Sequence, residues 1–343
     1  ELLSDTKLRS SFLWSEPKVY GELIDRWTNI QAVNIYDVDG TYGPINKLIN
    51  FNNTLLGFQD KGIFEILYNN RVQVNTSDGE PIELQQSWKT QGIRYISKSN
   101  GTLNKWTVKE SGRGLYWMDQ LNKTINMLGE GIVDLSEQAG FKSWSLNNIS
   151  SEKDFTTQVD LINNDVYFIN NKYALGFSER LGAFESFFSY EGIKYMFNNY
   201  GEWFSIKDNN IYLNKRGSYN RMFGENKPTI IEFYLNPDPA FDKVFDNYEY
   251  RSDVIDSNGV YLAGKTFSTV EVFNEYQYGS STLSTNMSSF KNKKFRTWSF
   301  PFPRQKGTMN RIRNPWTKLR FTFDNNSYNG KLLFHDLLIT YNI

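Results

Sequence analysis

Eight Asn-Asn pairs punctuate this chain, at 52–53, 69–70, 147–148, 163–164, 170–171, 198–199, 209–210 and 325–326. Several lie between short runs in which apolar residues alternate. Ile66-Leu67-Tyr68 precedes Asn69-Asn70, with Val72 and Val74 beyond it. Val166-Tyr167-Phe168-Ile169 precedes Asn170-Asn171, then Tyr173-Ala174-Leu175. Phe204 and Ile206 precede Asp208-Asn209-Asn210, then Ile211-Tyr212-Leu213. A period of two marks strands, and Asn accepts the positive φ that tight hairpin turns demand. Only 6 of 343 residues are Ala, so strong helix formers are scarce, while Tyr, Phe and Trp reach 16% and suit pleated surfaces. One short helix is expected over 134–139, capped by Asp134 and stopped by Gly140. The expected class is all-β.

Two domains are expected. In residues 1–220 the hairpin centres fall near 60, 121, 180 and 209. That spacing is uneven, so this part reads as an irregular, propeller-like hairpin domain rather than a clean blade repeat. A polar linker follows over 215–227. Residues 226–343 read as a β-sandwich. Ile231, Phe233 and Leu235 alternate with polar neighbours, as do Val270 and Val272, then Trp298, Phe300 and Phe302, then Leu319, Phe321 and Phe323. Lys243 to Arg251 is a further strand. Leu319, Phe321, Phe323, Leu337 and Ile339 are expected inside, with Leu333, His335, Leu337, Ile339 and Tyr341 on one face of the last strand.

Composition closes off much chemistry. Cys is absent and His335 is the single His, which removes disulfides, thiolate zinc sites, Cys nucleophiles and multi-histidine metal sites. His335 sits among apolar residues and reads as a satisfied core histidine. Asp37-Val38-Asp39-Gly40 starts like a calcium loop, but the twelfth position is Leu48 instead of Glu, so it reads as a turn. Asp119, Glu179 and Glu185 are the acids that a glycosidase pair could use. Ser97 to Trp106 lacks the Asp and the Trp spacing of an Asp-box, and Gly112-Arg113-Gly114 lacks the Lys-Ser/Thr of a phosphate loop. No catalytic, cofactor or metal residues are assigned. No run of 18 apolar residues exists to span a membrane as a helix.

The strongest local feature is charge. The chain is formally neutral, yet residues 291–320 hold ten Lys or Arg and no acid, interleaved with aromatics. Residues 232–256 are acidic, and charge pairing with them or with an acidic patch on a neighbouring subunit is the first reading; contact with nucleic acid is the second. Pro301, Pro303 and Pro315 mark 301–317 as a long loop. Long loops in compact domains are usually functional. Arg304, Lys306, Arg311 and Arg313 on that loop, with Lys293 and Lys294 before it, are therefore the candidate partner contacts.

Six stretches carry a resemblance. They are Ile35–Leu48 (IYDVDGTYGPINKL), Phe58–Ile63 (FQDKGI), Arg71–Gly79 (RVQVNTSDG), Asn104-Lys105-Trp106, Gly176–Arg180 (GFSER) and Lys243–Asn247 (KVFDN). Together they resemble the tail muzzle, or nozzle-like stabilisation, proteins of crAss-like short-tailed bacteriophages. The resemblance implies a structural virion protein without a catalytic centre, assembled in the host bacterial cytoplasm. It implies a distal ring, six-fold, that closes the DNA exit channel below the tail hub and opens for genome ejection. Implied partners are other copies of the chain, the tail hub or adaptor proteins, an upstream fragment of the same precursor, transiting phage DNA and the host surface. A start at Glu1 instead of Met fits a cleaved chain. The rival readings are a glycan-binding adhesin, with Trp and Tyr stacking on sugars, and a glycosidase or depolymerase.

Overall fold

A computed structural model describes residues 8–16, 21, 23, 25–68, 72–75, 81–84, 90–138, 140–151, 154–190, 192–283, 293–294, 296–324 and 330–343. Strands occupy about half of the chain and helices less than a tenth, so the protein is all-β. Contacts divide it into two compact units, Glu1–Asn214 and Lys215–Ile343.

The first unit is a series of antiparallel sheets, built mostly from strands that follow one another in sequence. A ribbon pairs β1 (Ser11–Leu13) with β2 (Ile35–Asp37). The first meander joins β3 (Ile45–Phe51), β4 (Thr54–Gln59) and β5 (Ile63–Tyr68). Next come β6 (Val72–Asn75) and β7 (Pro81–Leu84), which pair with each other, before β8 (Thr90–Ser97) returns to β5. The expected hairpin from Ile66 across Asn69-Asn70 to Val72 is therefore not formed: the free edge of β5 goes to β8. The second meander is β9 (Lys109–Glu110), β10 (Leu115–Asp119), β11 (Thr124–Leu128) and β12 (Ile132–Asp134). Two short helices follow, α1 (Leu135–Gln138) and α2 (Lys142–Asn148). The third meander is β13 (Thr156–Asp160), β14 (Asp165–Ile169), β15 (Ala174–Ser178) and β16 (Ala183–Phe187). The fourth is β17 (Tyr195–Asn199), β18 (Glu202–Lys207) and β19 (Asn210–Leu213).

Successive sheets stack face to face, and the alternation of side chains along each strand makes this work. Every residue of β10 is buried. Its Leu115 and Trp117 pack with Phe51, Leu56, Phe58 and Ile63 of the first meander. Its Tyr116 and Met118 point the other way, into a core with Val159, Val166, Phe168, Leu175 and Phe177 of the third. The third meander repeats the pattern, since Tyr167 stacks on Trp203 of the fourth at 5.8 Å. At the opposite end, Phe12 of the ribbon packs with Phe64 and Ile66.

The Asn pairs solve their turns in three ways. Asn52 and Asn53 (φ 48° and 61°), Asn164 (58°) and Asn209 (62°) adopt the left-handed conformation. Asn170 instead accepts the N–H groups of Lys172 and Tyr173 on its side-chain oxygen, at 2.8 and 2.7 Å. Asn147 and Asn148 make no turn: they lie in α2 and donate to carbonyls four residues back. The expected helix forms as α1, with Asp134 Oδ1 accepting from Glu137 N at 3.3 Å. Asn69-Asn70, Asn325-Asn326 and Ser77-Asp78-Gly79 lie outside the described residues.

The second unit begins with a small hairpin, β20 (Arg221–Met222) and β21 (Glu225–Asn226), inside the stretch expected to be linker. Next in sequence are β22 (Thr229–Leu235), β23 (Lys243–Ile255), β24 (Thr269–Phe273), β25 (Tyr278–Thr282), β26 (Lys293–Lys294), β27 (Thr297–Pro301), β28 (Arg313–Asn314), β29 (Thr317–Phe323) and β30 (Lys331–Asn342). One sheet has the order β22-β29-β24-β25, the other β26-β27-β23-β28 with β30 also on β23. Leu319, Phe321 and Phe323 of the first sheet share one core with Tyr248, Tyr250, Trp298 and Phe300 of the second. Leu337 and Ile339 pack on this core but are half-buried.

The face expected for the last strand is corrected by a bulge. Arg251 pairs with Asp336 and Ser252 with Phe334, which leaves His335 as the extra residue and flips the parity. Leu332 and Phe334 face the core before it, and Leu337, Ile339 and Tyr341 after it.

Gly57 shows how tightly the first stack is packed. It sits opposite Phe64, and a Cβ added there would lie 2.1 Å from the Phe64 ring. Gly57→Ala should destabilise the protein by about 1–3 kcal/mol through overpacking. Urea denaturation checks this; an unchanged midpoint would mean that the ring does not cover the glycine.

Candidate interaction site in the second unit

The basic segment meets its own acids. Directly opposed positions on β22, β29 and β24 bring Glu232, Arg320 and Glu271 into one row. Arg320 Nε lies 2.5 Å from Glu232 Oε1, and its Nη1 lies 3.4 Å from Glu271 Oε2. Lys318 Nζ reaches Glu232 Oε2 at 2.8 Å. Burial alone would raise the Glu232 carboxyl, but the hydrogen bonds and charges of Lys318 and Arg320 outweigh it and hold it below its usual range. Arg296 bonds Asp253, a carboxylate whose side chain is only 5% exposed. His335 Nε2 lies 3.0 Å from the same carboxylate. His335 is thus an exposed bulge residue and not the core histidine expected, because the bulge turns it out of the sandwich.

Asp246 is the other bulge residue of the long β23–β30 pair, and it faces the candidate loop. Arg311 Nη1 binds Asp246 Oδ1 at 2.6 Å, and Asn342 also donates to Asp246. Arg313 Nε stands 3.9 Å from Asp242 Oδ2. Arg304 and Lys306 are exposed, and neither forms an ion pair among the described residues. The side chains of Lys293 and Lys294 lie outside the described residues, as do Lys291 and Phe295; the backbones of Lys293 and Lys294 pair with Trp298 and Thr297.

Arg304 and Arg311 come together around a cavity of about 270 Å³, with Phe245, Asp246, Pro301, Phe302 and Ile312 in its walls. Two guanidinium groups beside one carboxylate leave positive charge facing solvent, which suits an acidic side chain. The 301–317 segment is mostly the long loop expected, with β28 near its end, but it is pinned to the sandwich. Phe302 and Ile312 are buried, β28 bonds to the start of β23, and Gly279 bridges to Gln305. Its main tether is Gln277, whose side chain donates to Arg311 O at 3.0 Å and accepts from Arg313 N at 2.7 Å. Nothing in the sequence singled Gln277 out, because its partners lie over thirty residues away.

With this geometry in hand, similarity to known proteins becomes specific. Residues 2–209 match the Crassvirus muzzle protein family, and residues 217–305 match the Crassvirus muzzle protein C-terminal domain. A curated Muzzle protein of Bacteroides phage crAss001 is 38% identical over 343 residues, which cover 97% of this chain and 25% of that protein. The chain belongs to the crassvirus muzzle protein family. It spans about a quarter of the length of this curated relative.

Of the acids that could have served a glycosidase, Asp119 holds a turn in this muzzle-family chain. Asp119 is buried and accepts from Gly101, Leu121 and Asn122 N–H groups at 2.9–3.0 Å. Burial pushes its carboxyl upward even so. Glu179 is buried and accepts the Tyr116 hydroxyl at 2.8 Å. Glu185 is exposed on β16. Asp39 serves a turn as expected, accepting Thr41 N and Oγ1 at 2.9 and 2.7 Å. Among the described residues no group of three His, Cys, Asp or Glu is placed to hold a metal.

The ion-pair row carries a pH dependence with a defined sign. Glu232 and Asp253 both titrate below their usual range, Asp253 because Arg296 and His335 outweigh its burial. Their stabilisation is therefore present above the ordinary carboxylate range, near pH 4, and is lost as pH falls through the lowered folded values. The thermal midpoint should be flat from about pH 5 to 7 and fall below about pH 4. Glu232→Gln should cost about 0.5–1 kcal/mol at neutral pH and blunt part of the acid loss. Thermal melts of both proteins across pH check this.

Proposed function

We propose that this chain is a structural part of a phage tail, one piece of a muzzle in which copies of it form a ring around the DNA exit channel. The observation that carries this reading is the 38% identity to a Muzzle protein across nearly the whole chain. A six-fold count, contact with hub or adaptor proteins, and opening during genome ejection belong to the same proposal, as does a location in the virion tail. No helix among the described residues is long and apolar enough to cross a membrane.

Two features support association of copies. First, the units differ in sign: Glu1–Asn214 holds 20 Lys and Arg against 26 Asp and Glu, and Lys215–Ile343 holds 18 against 12. Rings need a heterologous interface, in which one surface meets a different one on the next copy, and opposite charges favour that pairing. Second, the outer face of the fourth meander leaves Ile211 and Leu213 exposed beside half-buried Phe197 and Phe204. We propose that the meanders act as blades of an incomplete propeller, and that strands of a neighbouring copy or of another part of a longer precursor cover this face.

Arg304 and Lys306 test the charged contact most cleanly, since reversing them breaks no described ion pair. Arg304→Glu with Lys306→Glu should reduce assembly, read by sedimentation, and change stability by no more than about 0.5 kcal/mol. Assembly of the native chain should weaken as salt rises. Assembly that is insensitive to both would remove this loop from the interface and leave the muzzle reading to electron microscopy of the particle.

A further inference from the structure

The first unit holds a second cationic cluster, unrelated to the basic segment. Lys105, next to Trp106, and Lys109 of β9 lie against the Trp106 and Tyr195 rings, and Lys47 of β3 lies near enough to feel both charges. Lys105 Nζ lies 4.9 Å from the Trp106 ring, and Lys109 Nζ lies 6.0 Å from the Tyr195 ring. The two rings meet edge-on at 5.4 Å. Lys47 is half-buried and donates to Val108 O at 3.2 Å. A cavity of about 240 Å³ opens here, lined by Asn46, Leu103, Asn104, Lys105 and Trp106. Trp106 at its rim is 47% exposed.

The three ammonium groups are not neutralised. Among the described residues no carboxylate forms an ion pair with any of them. Asp60 is the carboxylate bonded to a lining residue, through Asn46 Nδ2 at 2.7 Å. Desolvation, then Lys109 and Lys105, push Lys47 below the usual lysine range. Desolvation does the same to Lys109. Folding thus brings like charges together at a cost, in contrast with the second unit, where acids meet the bases.

The chemistry of the lining narrows the ligand. The Asn amides are already used: Asn46 Nδ2 donates to Asp60 and to Thr102 O, and Asn104 Nδ2 donates to Phe155 O. Asn104 Oδ1 accepts from Trp106 N. Little is left to read sugar hydroxyls, so an uncharged glycan is a poor fit. What is left is positive charge on compact, rotatable ammonium groups. Lysine binds phosphate as a compact point charge with rotatable donors, without the planar fork of a guanidinium. A tetrahedral dianion can face several ammonium groups at once.

We propose that the cavity beside Trp106 is a phosphate site, with Lys105 of its lining holding the oxyanion and the neighbouring charges of Lys109 and Lys47 drawing it in, whether free or on a nucleic-acid backbone. It is independent of the tail assembly proposed above, because its residues lie in the other unit from Arg304 and Lys306.

The test uses the chain of residues 1–343 with three probes: inorganic phosphate, a fluorescent single-stranded oligonucleotide and poly-glutamate. Binding of inorganic phosphate that competes with the oligonucleotide identifies a free-phosphate site. Binding of the oligonucleotide alone identifies a backbone site, with a log–log salt slope near −2 for about three contacts. Lys105→Ala with Lys109→Ala should weaken the bound probe about tenfold or more, roughly what losing two charged contacts implies. The same change should not lower the thermal midpoint, because it relieves repulsion. Lys105→Arg with Lys109→Arg should keep most of the binding, which separates lost charge from lost folding. Preference for poly-glutamate, no binding of either phosphate probe, or binding untouched by the Ala pair would overturn the proposal.

Discussion

A sheet that is covered on both faces must be apolar at both parities of its strands, and the first unit depends on that requirement. Strand residues point alternately to opposite sides, so burying both sides fills every position of a central strand. β10 meets this with Leu115, Tyr116, Trp117 and Met118, and β14 with Val166, Tyr167, Phe168 and Ile169. Packed sheets lie about 10 Å apart. Large side chains bridge that gap where Ala cannot, which gives the aromatic content and the scarcity of Ala one physical cause. Where two aromatic layers compete for space, a glycine yields: Gly57 lies under Phe64, and Gly176 under Phe188. Each interior meander is thus the packing partner of the one before and the one after. Stability propagates along the series much as in repeat proteins, by nearest-neighbour interfaces.

The second unit obeys the opposite rule. Its sheets bury one face each, so the other parity is free for charge, and the alternating pattern places Glu232, Arg320 and Glu271 in one cross-strand row. Two bulges in β23–β30 supply what strict alternation would not. They turn Asp246 toward Arg311 and His335 toward Asp253. Five of the ten cations, Arg296, Arg311, Arg313, Lys318 and Arg320, meet acids of the same unit. Among the described side chains, Arg304 and Lys306 form no ion pair, and Arg304 lines the cavity that opens to solvent.

How much of this was legible follows from which forces are local. The strands of the sandwich were, because residues such as Leu319, Phe321 and Phe323 alternate against a single buried face. The hairpin at 208–210 was, because Asp208 and Asn209 carry the positive φ themselves. The partner of β5 was not. Its continuation lies in sequence at Val72, but the competing strand β8 returns from a two-stranded excursion, a long-range choice that no local pattern records. The helix at Lys142–Asn148 was missed for a related reason. Asn147 and Asn148 have poor helix propensity, and what holds this segment is the packing of Phe141 and Trp144 on the neighbouring core. His335 was misplaced because a bulge costs one residue of register and leaves no mark in composition. The ion pairs of the basic run were anticipated in kind, from its acidic neighbour, though not pair by pair. The tether through Gln277 and the lysine cluster at Trp106 were invisible, since each assembles residues from separate hairpins.

The two cationic clusters differ in the side chain they use, and the difference follows from what surrounds them. Arginine dominates in the second unit, where planar guanidinium groups lie along a sheet surface and meet carboxylates side-on, as Arg320 does between Glu232 and Glu271. Such pairs satisfy both partners, so they lock the sheet and advertise nothing. Lysine alone makes the first cluster, at the junction of β3 and β9 where the backbone takes one donor of Lys47 and leaves the others. Ammonium groups are strongly hydrated, and half-burying them without a counter-ion runs against stability. Among the described residues, no acid forms an ion pair with these three lysines. Unspent charge in a concave site is what binding a mobile anion requires. Spent charge on a flat sheet is what holding a fold requires. The row around Arg320 serves the second use, while the lysines by Trp106 and, in the second unit, Arg304 and Lys306 keep charge for the first.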